Sequence, residues 1–257
     1  MRSFGIGGGL EKQRCDNCPI RDWALCSTLE SPAALALSTI ANFKHFPAGQ
    51  VLQCSHTDPS WYAVIVAGVV KLAKTLADGR QQIVGLQFPA DFLGRPFAAS
   101  SAFQAEATTS LLLCCFPKND FEAVMEEHPC LEGALLRRTL DQLDTARDWM
   151  FTLGRKTAQE RLASLLFVIA ERLVPASGSS PSDEGTLTFD LPLSRIDMAD
   201  CLGLTHETVS RELHELKEKG VIATRGRRTF ILPDPAALEH LAKGAEAVTN
   251  SDSLAGS

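Results

Sequence analysis

Three cysteines near the start of the chain have the spacing of a metal-ligand set. Cys15, Cys18 and Cys26 form the pattern C-x2-C-x7-C in a chain of 257 residues. Thiolates are soft ligands, and sets of four suit zinc or an iron–sulfur cluster. A fourth ligand must therefore come from elsewhere in the chain. On spacing alone, an iron–sulfur cluster, a zinc site and a thiol switch are all compatible with this group.

Two adjacent cysteines, Cys114 and Cys115, are the candidates for the fourth ligand. They lie in a segment predicted to be a β-strand, where successive side chains point to opposite faces, so only one of them can readily face the first three. Cys54, Cys130 and Cys201 are isolated in the sequence. We expect each of these to be a small buried apolar side chain.

Residues 194–220 have the pattern of a helix-turn-helix. Such a motif needs a small residue in its first helix, a turn glycine and a branched apolar residue in its second helix, and Ala199, Gly203 and Val209 supply them. Thr205 is placed to cap the second helix. The residues expected on the exposed face of that helix, at i, i+3, i+4 and i+7, are Glu207, Ser210, Arg211 and His214.

This face has the chemistry for reading bases in a major groove. Arg211 can donate two hydrogen bonds to guanine, and Glu207 can accept one from cytosine N4. The hydroxyl of Thr205 and the helix N-terminus would hold a phosphate. A hairpin is predicted directly after this helix, and its turn carries Arg227 and Arg228. The motif is therefore interpreted as a winged helix-turn-helix with a basic wing that contacts the DNA backbone.

The elements that position these groups change along the chain. Short β-prone runs alternate with turns between residues 38 and 117, which indicates an antiparallel barrel or roll. From residue 118 the periodicity is helical, and apolar residues recur at the a and d positions of a coiled coil. The predicted dimer face consists of Leu136, Leu140, Leu143, Ala146, Met150 and Leu153. A helix packed only on its own domain is the alternative.

These patterns predict an α+β protein with an N-terminal antiparallel β-roll, similar to a cupin jelly roll, a long dimerisation helix and a C-terminal winged helix-turn-helix. The expected organisation is a cysteine-rich cluster-binding tail at 1–30, a β-roll sensor domain at 31–117, the dimerisation helix at 118–156, the DNA-binding domain at 157–245 and a disordered tail at 246–257.

Composition narrows the class of protein. The chain is 45% hydrophobic with a formal net charge of −6, and no apolar run approaches the roughly 18–20 residues that span a bilayer. The first ten residues lack the apolar core of a secretion signal. We therefore expect a cytoplasmic protein without a membrane partner, whose cysteines stay reduced. Because no Ser/His/Asp, paired-carboxylate or glycine-rich phosphate motif is found, we expect no enzyme activity.

The combination of motifs resembles the CRP/FNR superfamily of transcription regulators, and within it the oxygen-responsive FNR-type branch. The resemblance covers nearly the whole chain, from residue 15 to about residue 242. It rests on the cysteine pattern with LCCFP at 113–117, on KTAQERLA at 156–163, and on LGLTHETVSR at 202–211, which contains the E-x-x-S-R recognition signature.

The resemblance implies an oxygen-sensing cofactor, a 4Fe–4S cluster. The implied ligands are Cys15, Cys18, Cys26 and Cys114. The family has a proline three residues after the fourth ligand, and Pro117 occupies that place, although Cys115 is a competing assignment. The resemblance further implies a homodimer that binds double-stranded DNA at a palindrome similar to TTGAT-N4-ATCAA. Oxygen would destroy the cluster, weaken the dimer and release the DNA, and so switch anaerobic genes.

Two further features bear on partners and ligands. The turn at Asp78, Gly79 and Arg80 resembles a family loop that contacts RNA polymerase, although a plain hairpin turn is the alternative. The chain departs from the cyclic-nucleotide branch, because Arg95 follows Gly94 where that branch has Gly-Glu. The second interpretation is a regulator of the same superfamily that answers nitric oxide, a haem-bound gas or another small ligand, with zinc or no metal on its cysteines.

Overall fold

The computed structural model describes Cys15 and residues 17–55, 57–174, 185–226 and 228–244. Within them, an antiparallel β-roll is followed by helices and a winged helix-turn-helix, so the fold class expected from the sequence is confirmed. The predicted wing residue Arg227 and the predicted tail at 246–257 lie outside the described residues. In the part of the chain that is described, no helix is long and apolar enough to cross a membrane.

The roll consists, among the described residues, of eight short strands in two antiparallel sheets. The strands are β1 (Asn42–Phe46), β2 (Val51–Gln53), β3 (Trp61–Ala67), β4 (Val70–Thr75), β5 (Gln81–Gln87), β6 (Phe92–Leu93), β7 (Gln104–Ala107) and β8 (Leu111–Pro117). One sheet has the order β1-β8-β3-β6 and the other β2-β7-β4-β5. Ile65, Leu111 and Leu113 are among the buried side chains that fill the roll interior.

The segment before the roll is helical in part. A 3-10 turn spans Leu25–Thr28, and helix α1 spans Ser31–Ile40. Helix α1 was not predicted from the sequence, although a proline in its first turn and the alanine and leucine residues that follow favour a helix. Ile20 and Leu25 are buried, and they pack against the outer side of the roll. The cysteine-rich tail is therefore anchored by apolar side chains of its own.

Two helices follow the roll where the sequence predicted one. Helix α2 spans Lys118–Glu127 and α3 spans Pro129–Arg155. Between them His128 has φ −129° and ψ 83°. A proline excludes the helical conformation from the residue before it, so Pro129 accounts for the break. The dimerisation helix predicted at 118–156 is therefore interrupted, and the predicted dimer face belongs to α3.

The C-terminal unit is a winged helix-turn-helix. Its elements are α4 (Ala158–Leu173), β9 (Leu187–Asp190), α5 (Arg195–Leu202), α6 (His206–Glu218), β10 (Ala223–Arg225), β11 (Thr229–Leu232) and α7 (Pro235–Lys243). Strands β10 and β11 pair antiparallel, which confirms the predicted hairpin, and β9 pairs with β11. Val209, Leu213 and Leu216 bury one face of α6 in the core of this unit.

The roll packs directly on the helix-turn-helix. Ile83 and Phe88 of the roll are buried in the same apolar cluster as Met198 of α5. In addition, the side-chain amide of Gln82 donates a hydrogen bond to the carbonyl oxygen of Cys201 at 3.1 Å. The β4–β5 hairpin therefore sets the position of α5, the first helix of the motif.

Candidate DNA-binding surface and cysteine cavity

The turn between α5 and α6 is set by local backbone chemistry. Gly203 ends α5 in the left-handed conformation, with φ 61° and ψ 39°, which glycine adopts without the steric cost of a side chain. Its N–H donates to the carbonyl of Ala199, which is 5% exposed. Thr205 then caps α6, because its hydroxyl accepts a hydrogen bond from the backbone N–H of Thr208 at 3.3 Å. The predicted cap is confirmed, and the predicted phosphate contact of Thr205 stays a prediction.

The predicted base-reading residues share the solvent-facing side of α6. All four are exposed: Glu207, Ser210, Arg211 and His214. Val209 and Leu213, on the opposite side, are buried. This division follows the helical period, in which residues three and four apart share a face. The structure therefore places the predicted set together on a face that can enter a groove.

Arg211 has a partner that sequence reasoning missed. Its Nη2 lies 3.2 Å from Oε1 of Glu212. The Glu212 side chain is only 9% exposed, whereas that of Arg211 is 63% exposed. A hydrogen bond to a carboxylate with so little access to water orients the guanidinium while leaving its outer edge in solvent. The helical period placed Glu212 on the buried edge, but nothing in the sequence marked it as a partner of its neighbour.

The wing follows α6 in the chain. Arg228 is exposed, and its carbonyl accepts a hydrogen bond from Leu191 N at 2.8 Å, which ties the wing to the strand before α5. The backbone of Arg228 is therefore held in place while its side chain is exposed to solvent, as expected for a residue that contacts a phosphate.

A cavity of about 490 Å³ lies between the roll and the N-terminal segment. Four of the eight cysteines line it: Cys15, Cys18, Cys26 and Cys114. The apolar side chains of Ile20, Val64 and Phe116 contribute to the same wall. Residues 15–28 are called the cysteine segment below. The structure thus brings the three cysteines of the tail to one side of β8.

The two candidates for the fourth ligand point in opposite directions. Cys114 is buried in the apolar cluster that includes Cys15 and Cys18 at its edge. Cys115 is buried in the separate cluster that fills the roll interior. The alternation of side chains along β8 accounts for this separation. Cys114 therefore lines the cavity and Cys115 does not, while the assignment of Cys114 as a ligand stays a prediction.

Two of the cavity thiols, Cys26 and Cys114, have a raised pKa and favour the protonated form when no metal is bound. Burial raises the pKa of Cys26 to about 11, the charges of Cys15 and Cys18 act in the same direction, and Arg138 partly opposes them. Burial, and then Cys15, also raise the pKa of Cys114 well above its ordinary value. Four thiolates in such a place would repel one another, so a cation or a metal cluster is what would hold them deprotonated together.

The four cavity thiols are a donor set that a cluster with several irons can take. Among the described residues, no group of three or more His, Cys, Asp or Glu side chains is gathered closely enough to hold one metal ion. A cluster with several irons spreads its thiolate ligands, one to each iron, around a larger body. Four thiols around one cavity, beside the apolar side chains of its wall, are compatible with such a group.

The remaining cysteines only partly follow expectation. Cys201 is buried in the DNA-binding unit, as predicted. Cys54 is exposed and Cys130 is half-buried, so the prediction that both are buried is wrong. Cys54 lies directly after the short strand β2, and Cys130 lies in the first turn of α3. None of the three lines the cavity.

The predicted dimer face is open in the single chain. Its exposed members are Leu136, Leu140, Leu143, Ala146 and Met150, while Leu153 is half-buried. Met150 is 73% exposed and Leu136 is 58% exposed. A row of apolar side chains this exposed on one helix is typical of a surface that a partner covers. The arrangement favours the intersubunit interpretation over packing within the domain.

The turn predicted to contact RNA polymerase is the exposed tip of the β4–β5 hairpin. Gly79 has φ 89°, a left-handed conformation that suits glycine. Asp78 accepts hydrogen bonds from the backbone N–H and the guanidinium of Arg80, the latter at 2.8 Å. The guanidinium bond, followed by the backbone bond, lowers the pKa of Asp78. The turn is rigid and accessible, and the polymerase contact stays a prediction.

Sequence reasoning missed the polar link between the roll and the DNA-binding unit. Nζ of Lys71 lies 2.7 Å from Oδ1 of Asp197 and 3.1 Å from Oε1 of Glu106. The other oxygen of Asp197 accepts a hydrogen bond from the backbone N–H of Ser194 at 3.0 Å, which closes the N-terminal capping box of α5. The spacing of Ser194 and Asp197 could have revealed the cap. No sequence signal pairs Asp197 with Lys71.

Together these features define a DNA-binding transcription regulator with an N-terminal β-roll. A model described as "Crp-like helix-turn-helix domain" matches residues 160–241, and one described as "Cyclic nucleotide-binding domain" matches residues 43–128. The transcriptional activator protein FnrL of Cereibacter sphaeroides is 46% identical over 225 residues, 88% of this chain and 90% of that protein. The chain belongs to the CRP/FNR family.

Other relatives agree with this placement. The nitrogen fixation regulation protein FixK of Bradyrhizobium diazoefficiens is 37% identical over 228 residues, 89% of this chain and 93% of that protein. The structure of FixK2 from Bradyrhizobium japonicum is similar to that of this chain, with a TM-score of 0.69 and 30% sequence identity. The matched region covers 79% of this chain and 97% of the FixK2 chain. These relatives are regulators, which confirms the expectation that the chain is not an enzyme.

Proposed function

We propose that this regulator responds to oxygen through a 4Fe–4S cluster held by the four cysteines of the cavity. The observation that carries the proposal is the placement of Cys114 beside the cysteine segment, with Cys115 turned into the roll interior. Four thiols then line one cavity. When bound, the cluster would supply the sensitivity to dioxygen.

Ligation would tie two distant parts of the chain together. Cys15, Cys18 and Cys26 belong to the cysteine segment, and Cys114 belongs to β8. Helix α2 begins at Lys118, directly after β8, so a ligand on this strand lies close in sequence to the helices that follow. Seating the segment would favour one arrangement of α3 and of its dimer face.

A homodimer formed through α3 would present two recognition helices. Two-fold symmetry matches a palindromic site similar to TTGAT-N4-ATCAA. In each half-site, Arg211 would donate to a guanine, while Arg228 and the cap of α6 would contact phosphates. The relative FnrL is called a transcriptional activator. We propose activation here too, with the Asp78–Arg80 turn contacting RNA polymerase, and repression where the site overlaps a promoter.

Iron, acid-labile sulfide and DNA affinity measured on protein purified without oxygen test the proposal. The parent should contain about four irons per chain, absorb visible light and bleach in air. Serine is a poor substitute for a soft thiolate. A serine substitution at any one of the four proposed ligands should therefore abolish both iron binding and anaerobic DNA binding. These ligands are Cys15, Cys18, Cys26 and Cys114. Cys54→Ser, at an exposed cysteine outside the cavity, is the matched control and should retain both.

Three outcomes would contradict the proposal. Retention of iron by a Cys15, Cys18 or Cys26 variant would refute the cavity as the cluster site. Full iron in Cys114→Ser together with loss in Cys115→Ser would reassign the fourth ligand. A colourless parent that contains zinc would instead favour a regulator that answers a different signal.

A further inference from the structure

The side chain of Arg138 joins the cysteine segment, the roll and the dimer helix. Arg138 lies on α3 and is half-buried. Its Nη2 donates a hydrogen bond to the backbone carbonyl of Trp23 in the cysteine segment, and its Nη1 donates to the carbonyl of Ala90 at 3.2 Å. A planar guanidinium can satisfy both carbonyls at once. Leu136, two residues earlier on the same helix, faces solvent as part of the dimer face.

The roll end of this link is firmly held. Ala90 has φ 75°, a left-handed conformation that is unfavourable for a residue with a side chain. Its N–H donates to the carbonyl of Ile65 at 2.8 Å. The next residue, Asp91, accepts a hydrogen bond from Arg172 of α4 at 2.5 Å. The turn that receives Arg138 is therefore fixed on both the roll and the DNA-binding unit.

The other end of the link depends on the cysteine segment. Trp23 lies in the loop between Cys18 and Cys26, and its side chain is 38% exposed. Three of the four proposed ligands flank this loop, so ligation and the position of the Trp23 carbonyl are linked. A guanidinium that loses one of its two carbonyl acceptors must find a new partner, in the protein or in water, and α3 is then no longer held to the cysteine segment.

We propose that Arg138 is a positioning residue that transmits the state of the cysteine cavity to the dimer face. With the segment seated, both carbonyls are engaged and α3 is held in one orientation about its axis. When the segment leaves, the link to Trp23 is lost, and α3 is free to turn away from the dimerising orientation. This inference rests on the proposed function, because it takes ligation to seat the segment.

The test compares the dimer dissociation constant of iron-loaded and iron-free protein by analytical ultracentrifugation. In the parent, loading should lower this constant. In Arg138→Gln, at matched iron content, the ratio between the two forms should fall by roughly tenfold or more, the equivalent of one hydrogen bond to a charged group. Arg147→Gln is the control, because Arg147 pairs with Asp144 on its own helix at 2.8 Å. It should keep the parental ratio.

Arg138→Lys separates charge from geometry and provides a second variant if the glutamine protein does not fold. Lysine keeps the charge near Cys26 but lacks the planar fork, so the ratio should stay low. Full recovery by lysine, or a parental ratio in Arg138→Gln, would overturn the proposed link. A parent that binds no iron would refute the proposed function, whereas a parent that binds iron but shows the same ratio as Arg138→Gln would refute the link through Arg138 alone.

Discussion

Replacing Lys71 by methionine should weaken the packing of the DNA-binding unit on the roll. The three charged side chains of this ion-pair group are 11%, 18% and 23% exposed for Lys71, Asp197 and Glu106. Removing one partner of a buried pair costs about 3–5 kcal/mol. Lys71→Met leaves two like charges facing each other without the lysine. Because some water reaches these carboxylates, we expect a loss at the lower end of this range, about 3 kcal/mol. For a chain of this size, that loss lowers Tm by roughly 6–12 °C.

Calorimetry and urea unfolding of four proteins would measure this effect: the parent, Lys71→Met, Asp197→Asn and the double variant. Asparagine keeps an acceptor for the cap of α5, so Asp197→Asn removes mainly the charge. We expect a coupling energy of about 2 kcal/mol between the two positions. Lys74→Met, at an exposed lysine of the same strand, is the control. If Lys71→Met stays within about 0.5 kcal/mol of the parent, as surface changes do, the ion pair does not hold the units together.

The same pair predicts how stability depends on pH. Burial alone would raise the pKa of Asp197, but hydrogen bonds from Lys71 and Ser194 lower it overall. Its contribution is therefore present above the ordinary pKa of about 3.9 and lost as pH falls through the lower folded value. Burial alone would lower the pKa of Lys71, but Asp197 and then Glu106 raise it overall. That contribution is present below about pH 10.4 and lost as pH rises through the higher folded value.

Three further outcomes are expected. In gel-shift titrations, Arg211→Ala should lose about 1–3 kcal/mol of binding free energy on the specific site and relax the preference at one guanine. By contrast, Arg228→Ala should weaken binding to all sequences alike and reduce the slope of affinity against salt by about 1. Equal losses by Arg211→Ala on specific and scrambled DNA would reject the assigned recognition face. Arg80→Ala should lower transcription in vitro with unchanged DNA affinity, and a parallel loss of both would argue against a polymerase contact. In iron-free protein at neutral pH, iodoacetamide should label exposed Cys54 at least about tenfold faster than Cys201, whose pKa is raised by burial in the DNA-binding unit; comparable rates on a mass-spectrometric time course would contradict that burial.

Local chemistry made the DNA-binding motif readable from the sequence. Gly203 at the turn, Thr205 as the cap and the spacing from Glu207 to His214 each act within about two helical turns, so tertiary structure had little to add. The wing hairpin was predicted for the same reason. The break at His128 was also accessible in principle, since Pro129 dictates it locally, but the long helical periodicity concealed it.

The cysteine site was only half determined by the sequence. The spacing of the tail cysteines marked a ligand set, and strand alternation required Cys114 and Cys115 to face opposite ways. Which of the two meets the tail depends on the side of β8 that the cysteine segment covers. Burial of Ile20 and Leu25 against the outer side of the roll decided that choice.

Only the tertiary structure revealed the links between the parts. Lys71 and Asp197 are 126 positions apart in the chain, and Arg138 and Trp23 are 115 apart. Side chains at such separations meet because whole elements pack, and their partners are chosen by the geometry of that packing. Propensity and periodicity report on neighbours within a few residues. The sequence therefore determined the DNA-binding motif and the candidate ligands, while the packing of the roll on α3 and α5 decided how the two are joined.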